Sequence, residues 1–176
     1  FCKELAGIRT QAVIHIFDRN HEITTEEGEL QLTDYGISGI PVFQLSGMIN
    51  RYLYDHKNVT LTAVVDFMPE TTIEQLEGYM KQRMANSPRM SLNELICGTL
   101  NQKLCKIILK RAQVREDSKV STLSKEKLTE ILYLFKNFSF EIIGSNGFEQ
   151  AQVCCGGVDL HEVTEELESK LVPNVY

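Results

Sequence analysis

Four prolines are scattered through 176 residues with no low-complexity tract, and no apolar run approaches the roughly 20 residues that crossing a bilayer takes. Neither a disordered linker nor a membrane-bound protein is expected. The five cysteines, at positions 2, 97, 105, 154 and 155, are odd in number and form no disulfide framework, which points to a reducing, cytoplasmic setting. Cys154 and Cys155 are adjacent, without the Cys-x-x-Cys spacing of zinc or thioredoxin chemistry. On a strand they would point to opposite faces, one in the core and one a free thiol, so no metal site is expected there. The histidines, at 15, 21, 56 and 161, also lack metal-ligand spacing. No Gly-x-Gly-x-x-Gly loop occurs, and without its close-approaching backbone N–H groups the chain is expected to bind no dinucleotide. Net charge is −6, which argues against nucleic acid as a partner.

What is present divides by charge and by period. Residues from Pro69 to Lys136 carry 12 Lys/Arg against 8 Asp/Glu, whereas the rest carries 6 against 16. The apolar spacing changes at the same seams, from strand-like to helical and back. This predicts an α+β fold: a discontinuous β domain, barrel-like or a sandwich, over 1–68 and 137–176, with an inserted helical subdomain over 69–136.

Ile8 to Asp18 alternates as a strand with Ile8, Ala12, Ile14 and Ile16 on one face; Ile23 to Leu32 returns, interrupted near Gly28. Gly36 to Gly39 turns the chain into a helix with Pro41 in its first turn and Val42, Leu45, Ile49 and Leu53 inward, and Ser38 is expected to be its N-cap. Val59 to Phe67 closes the first β section. Thr72 with Gln75, and Ser91 with Glu94, form capping boxes that open two helices; Asn101 to Ala112 is a third, and Ser124 opens a fourth running to Lys136. Phe138 to Ile143 and Glu149 to Cys154 read as strands joined by a hairpin through Ser145-Asn146-Gly147.

Candidate chemistry is sparse. Gly36-Ile37-Ser38-Gly39 lacks the Gly-x-Ser-x-Gly spacing of a nucleophile elbow, and no catalytic residue is assigned. Lys103, Lys106 and Lys110, with Arg111 and Arg115 beyond, have no interleaved aromatics and are expected to be a solvated face. The Gly156-Gly157 pair reads from the residues alone as a plain turn ending a strand, or as a place where another molecule comes close to the backbone.

Two motifs carry a resemblance. Ala151-Gln152-Val153-Cys154-Cys155-Gly156-Gly157-Val158, followed by Glu162-Val163 and Glu168-Ser169-Lys170-Leu171-Val172-Pro173, together with Gly28 to Gly39 and Pro41 upstream, resembles the bacterial NAD(FAD)-utilising dehydrogenase family, with its aminoacetone-oxidase and BaiN-like flavoproteins. Where that family has Pro directly after the Ser-Gly, this chain has Ile40 and then Pro41. The resemblance implies a domain inserted into a discontinuous FAD-binding domain. It implies FAD in the full-length parent and none in this chain alone, the FAD-binding domain of the same polypeptide as partner, a small-molecule substrate, and neither nucleic acid nor membrane. Cys155, Gly156 and Gly157 would then lie near the flavin, and Tyr35, Ser38 and Gly39 would face the substrate. Phe1 is no initiator residue, and the chain stops on Val175-Tyr176 just after a Pro-Asn turn signal, so it reads as an excised domain, inactive in isolation. The rival reading is a stand-alone binding or protein-interaction module that uses the helical unit.

Overall fold

A computed structural model describes residues 1–152 and 156–176, which fall into two compact units, Phe1–Ser145 and Asn146–Tyr176. The first unit holds a curled antiparallel sheet of β1 (Arg9–Asp18), β2 (His21–Leu32), β3 (Ile37–Ser38), β4 (Leu61–Asp66) and β5 (Phe138–Ile142) in the order β3-β2-β1-β4-β5. Its helices are α1 (Cys2–Leu5), α2 (Ile40–Asp55), α3 (Ile73–Asn86), α4 (Leu92–Ile96), α5 (Gln102–Arg111) and α6 (Lys125–Lys136).

Period-two alternation sets the sheet's core face. Ala12, Ile14 and Ile16 of β1 are buried, and so are Leu30 of β2 and Leu61, Ala63 and Val65 of β4. Phe138 lies opposite Val65 and joins the same core. β2 runs unbroken through Gly28, which pairs with Ala12; the irregularity predicted there falls instead between Ile16 and Phe17 of β1. Gly28 serves a different need, close approach: a Cβ on it would come within 3.2 Å of the Pro41 ring, so its bareness lets α2 lie against β2.

Helices α3–α6 lie in sequence between two strands that are neighbours in the sheet, β4 and β5. Both capping boxes form, Thr72 with Gln75 at α3 and Ser91 with Glu94 at α4, and Ser124 caps α6. The i, i+3, i+4, i+7 spacing of Leu128, Ile131, Leu132 and Phe135 buries one stripe of α6, each side chain worth about 1.5–3 kcal/mol when fully covered. At the seam, Lys136 Nζ donates to Asp66 Oδ2 and to the Met68 carbonyl, both at 2.7 Å, while Asp66 Oδ1 accepts the Met68 N–H at 2.8 Å. The two side chains are only 17% and 15% exposed, which makes this the most buried ion pair among the described residues. It ties the end of β4 to the end of α6.

The return strand predicted over Glu149 to Cys154 is not formed by its described residues. Phe148–Gln150 is a turn of 3-10 helix, closed by Gln150 N–H to Gly147 O and Ala151 N–H to Phe148 O, and Gln152 is a bend. The physical reason is composition: of Glu149, Gln150, Ala151 and Gln152 only Ala151 is apolar, so a strand here has no face to bury. Cys154 lies outside the described residues. Within the second unit, residues 159–175 are folded on themselves by backbone bonds, including Lys170 N–H to Glu162 O and Ser169 N–H to Val175 O, both 2.7 Å. The Ser169 hydroxyl accepts the N–H groups of Leu171 and Val172.

Candidate functional site

The motif from Thr33 to Pro41 builds the most constrained corner of the first unit. Thr33 and Gly36 clamp the turn in both directions: Thr33 N–H donates to Gly36 O at 2.9 Å, and Gly36 N–H to Thr33 Oγ1 at 3.1 Å. Tyr35 sits at the tip with 61% of its surface exposed. Ile37 and Ser38 then pair with Leu32 and Gln31 as β3. Ser38 is therefore a strand residue and not the N-cap of α2. Gly39 takes that position, because its backbone adopts φ +105°, a conformation that strains any side-chain-bearing residue. A Cβ on Gly39 would collide with the carbonyl oxygen of Glu29 and lie 3.2 Å from the Gln31 N–H nitrogen. No side chain caps the first turn of α2, and Pro41 removes one N–H that would otherwise need a partner. Tyr35, Ser38 and Gly39 are thus brought together within a single connection.

Gly156 and Gly157 are exposed in the second unit, with φ +135° and +146°, and a Cβ on either would meet nothing within 4 Å. What they offer is exposed backbone at a positive φ that glycine adopts without strain. Cys155, the third residue of this predicted set, lies outside the described residues.

Three basic residues of α5, and Arg115 just beyond it, are engaged within the first unit. Lys106 pairs with Glu116 at 3.2 Å, Lys110 with Glu4 at 3.0 Å, and Arg115 with Asp117 at 2.8 Å, while Arg111 stacks 4.6 Å over the Phe138 ring. His15 approaches Glu22 at 3.0 Å and His56 stacks on Tyr52. No group of three metal-ligating side chains converges among the described residues, and no described helix is long and apolar enough to cross a membrane.

Among the described residues, several side chains are held away from their ordinary titration ranges by local contacts. Its own backbone N–H, then the Thr72 hydroxyl, hold the Glu74 carboxyl below the ordinary range, and the Ser91 backbone and hydroxyl do the same for Glu94. Burial pushes the Cys105 thiol up. A hydrogen bond to Asp18, at 2.9 Å, raises Tyr52. A cleft of about 580 Å³ lies beside the Asp66–Lys136 pair, with Thr71, Thr72 and Tyr133 on its walls.

Residues 1–153 match the family described as the HI0933-like protein barrel and H2TH domain. The chain belongs to that family. Its description pairs a barrel with a helical part, in agreement with the curled sheet and the helices α3–α6. Over 172 residues the HI0933-like domain is 33% identical to the 3-dehydro-bile acid delta(4,6)-reductase of Clostridium scindens, covering 97% of this chain and 42% of that protein. Over 149 residues it is 26% identical to the ribosomal RNA dihydrouridine synthase of Haemophilus influenzae, covering 84% of this chain and 34% of that protein. The chain therefore spans between about a third and two fifths of the length of these curated relatives.

Proposed function

We propose that this chain is the inserted, substrate-covering domain of an FAD-dependent oxidoreductase that reduces a carbon–carbon double bond conjugated to a carbonyl. The observation that carries the reading is a chemical feature common to the names of the two relatives. A 3-dehydro-delta(4,6) bile acid has a ketone in conjugation with ring double bonds, and uridine becomes dihydrouridine when the double bond conjugated to its C4 carbonyl is saturated. The steroid-like enone is the favoured substrate, because that relative is the more similar and the match covers nearly all of this chain.

Reduced flavin, when bound, would supply two electrons as hydride to the electron-poor carbon, and water or a side chain of the longer polypeptide would give the proton to the carbon beside the carbonyl. The residues of this chain fit one part of such a cofactor. Gly156 and Gly157 are exposed and carry no side chain, which suits close approach by a flat ring; the sequence has no Gly-x-Gly-x-x-Gly loop, so the pyrophosphate would be held elsewhere in a longer polypeptide. The Tyr35-Ser38-Gly39 corner would face the substrate, with Tyr35 giving an apolar wall and the rigid Gly39 turn fixing its position. In this reading residues 69–136 are a helical subdomain set into the β domain, and the whole excludes water from the reacting atoms without supplying a catalytic group.

Two measurements test the proposal. This chain alone should bind neither FAD nor NAD(P)H at micromolar concentration by fluorescence and calorimetry, whereas the longer polypeptide should purify with flavin. Reduced flavin in that polypeptide should be reoxidised by a 3-oxo-4-ene steroid faster than by the saturated ketone. Tight FAD binding by this chain alone would overturn the division of labour. Equal rates with both steroids would overturn the reaction class, and a flavin-free full-length protein would promote the interaction-module reading.

A further inference from the structure

The 16 residues of α2 include only two charged ones, Arg51 and Asp55, although half of the helix faces away from the core. Its inner stripe, with Pro41 and Leu45 buried and Val42, Ile49 and Leu53 packed against the core, is the one that the apolar spacing predicts. A surface helix ordinarily places its charged residues on the opposite stripe. Here that stripe carries Ile40, 66% exposed, Phe43, 36% exposed, and Tyr54, 83% exposed, with the small Gly47 between them and Arg51 as its single charge. These positions succeed one another by three or four residues, so they form one continuous strip along about four turns.

We infer that this outward face of α2 is the docking surface for the remainder of the polypeptide, the flavin-binding part, and that it is covered permanently. The inference rests on the functional reading above. Two observations choose this occupant over a second copy or a transient partner. The relatives are more than twice as long as the stretch they share with this chain, so a parent of similar length would hold a large partner within the same molecule. The strip starts at Ile40, directly after the Tyr35-Ser38-Gly39 corner that would face the substrate, so docking along it carries that corner to the flavin. The near absence of charge fits an interface formed once and kept, since charged residues are depleted at the centres of such contacts, and it does not fit an electrostatically steered transient one.

The test uses the full-length polypeptide with the photo-crosslinking residue p-benzoylphenylalanine at position 43, and again at position 133 as a control. Tyr133 is 58% exposed on α6, a different helix. Irradiation should link position 43 to a peptide outside these 176 residues within one molecule, and position 133 should give no such link. A second arm is Phe43→Glu with Tyr54→Glu, which should lower bound flavin after gel filtration at least tenfold while the circular dichroism of the protein is retained; Tyr133→Glu should leave flavin content unchanged. A link between two copies, no link at position 43, or full flavin content in the double variant would each overturn the inference. The outcomes separate from those of the functional reading: a link in a flavin-free protein sinks the function and keeps the interface, and a flavin-loaded protein without the link does the reverse.

Discussion

Replacing Gly39 with Ala adds one methyl group at the corner where β3 turns into α2, and its cost can be worked from geometry. At φ +105° an L-residue is in a sparsely populated region, a strain of about 1–3 kcal/mol. The new Cβ must also displace the Glu29 carbonyl, a backbone group locked in the β1–β2–β3 ladder, and forcing extra volume into a packed position adds about 1–3 kcal/mol. Alanine recovers about 0.4–1 kcal/mol by restricting the unfolded chain. The net expectation is a loss of about 2–4 kcal/mol, or a drop of roughly 1–2 M in the urea midpoint for an ordinary denaturant slope. Gly36→Ala is the matched control three residues away: no atom lies within 4 Å of its Cβ and its φ is outside the positive range, so it should be neutral to slightly stabilising. Urea unfolding of both variants, followed by circular dichroism, decides the matter. Equal midpoints would refute the claim that this corner depends on glycine.

Lys136→Met keeps the stem of the side chain but leaves the largely buried Asp66 carboxylate with only the Met68 N–H, and should cost about 2–3 kcal/mol in the same assay; a loss below about 0.5 kcal/mol would show the pair to be ornamental. The Glu74 and Glu94 carboxyls are held below their ordinary range in the folded chain, so their contribution is present above about pH 4.3 and is lost as pH falls through the lowered folded-state values. Glu94→Gln should therefore flatten the acid limb of a stability–pH curve, and an unchanged limb would contradict the assignment. Gly157→Val forces a β-branched residue to φ +146°; in the full-length polypeptide it should lower flavin occupancy or turnover by about tenfold or more, measured by absorbance and steady-state rate, and full activity would remove this turn from the flavin's surroundings.

Local signals were readable and long-range ones were not. Capping boxes are four-residue events, so Thr72/Gln75 and Ser91/Glu94 open their helices as their spacing predicts. The α6 stripe follows from period alone. Ser38 has every local mark of an N-cap, yet pairing with Gln31 draws it into a strand, and the glycine beside it caps instead. The turn signal at Ser145-Asn146-Gly147 is likewise strong, but a hairpin needs a partner strand with an apolar face, which Glu149 to Gln152 does not have. At the candidate site, the residues were visible as motifs while the reason for them was not. That Gly28 makes room for Pro41, and Gly39 for the Glu29 carbonyl, depends on contacts between backbone segments that no spacing rule reports.

The position of α3–α6 between paired strands also bears on how the chain folds. Asp66 and Lys136, joined in the native state, are 70 residues apart, and closing so long a loop from an open chain costs about 4 kcal/mol in entropy before any β4–β5 bond is made. Helices with caps and local contacts form early, and once packed they bring the two ends of that loop within reach of each other. The helical unit then acts as the splint on which the last strand is laid. Variants that loosen the α6 core, such as Phe135→Ala, should slow the appearance of sheet structure in refolding rather than only speed its loss. The order of events would run from the inserted part outward to the domain that surrounds it.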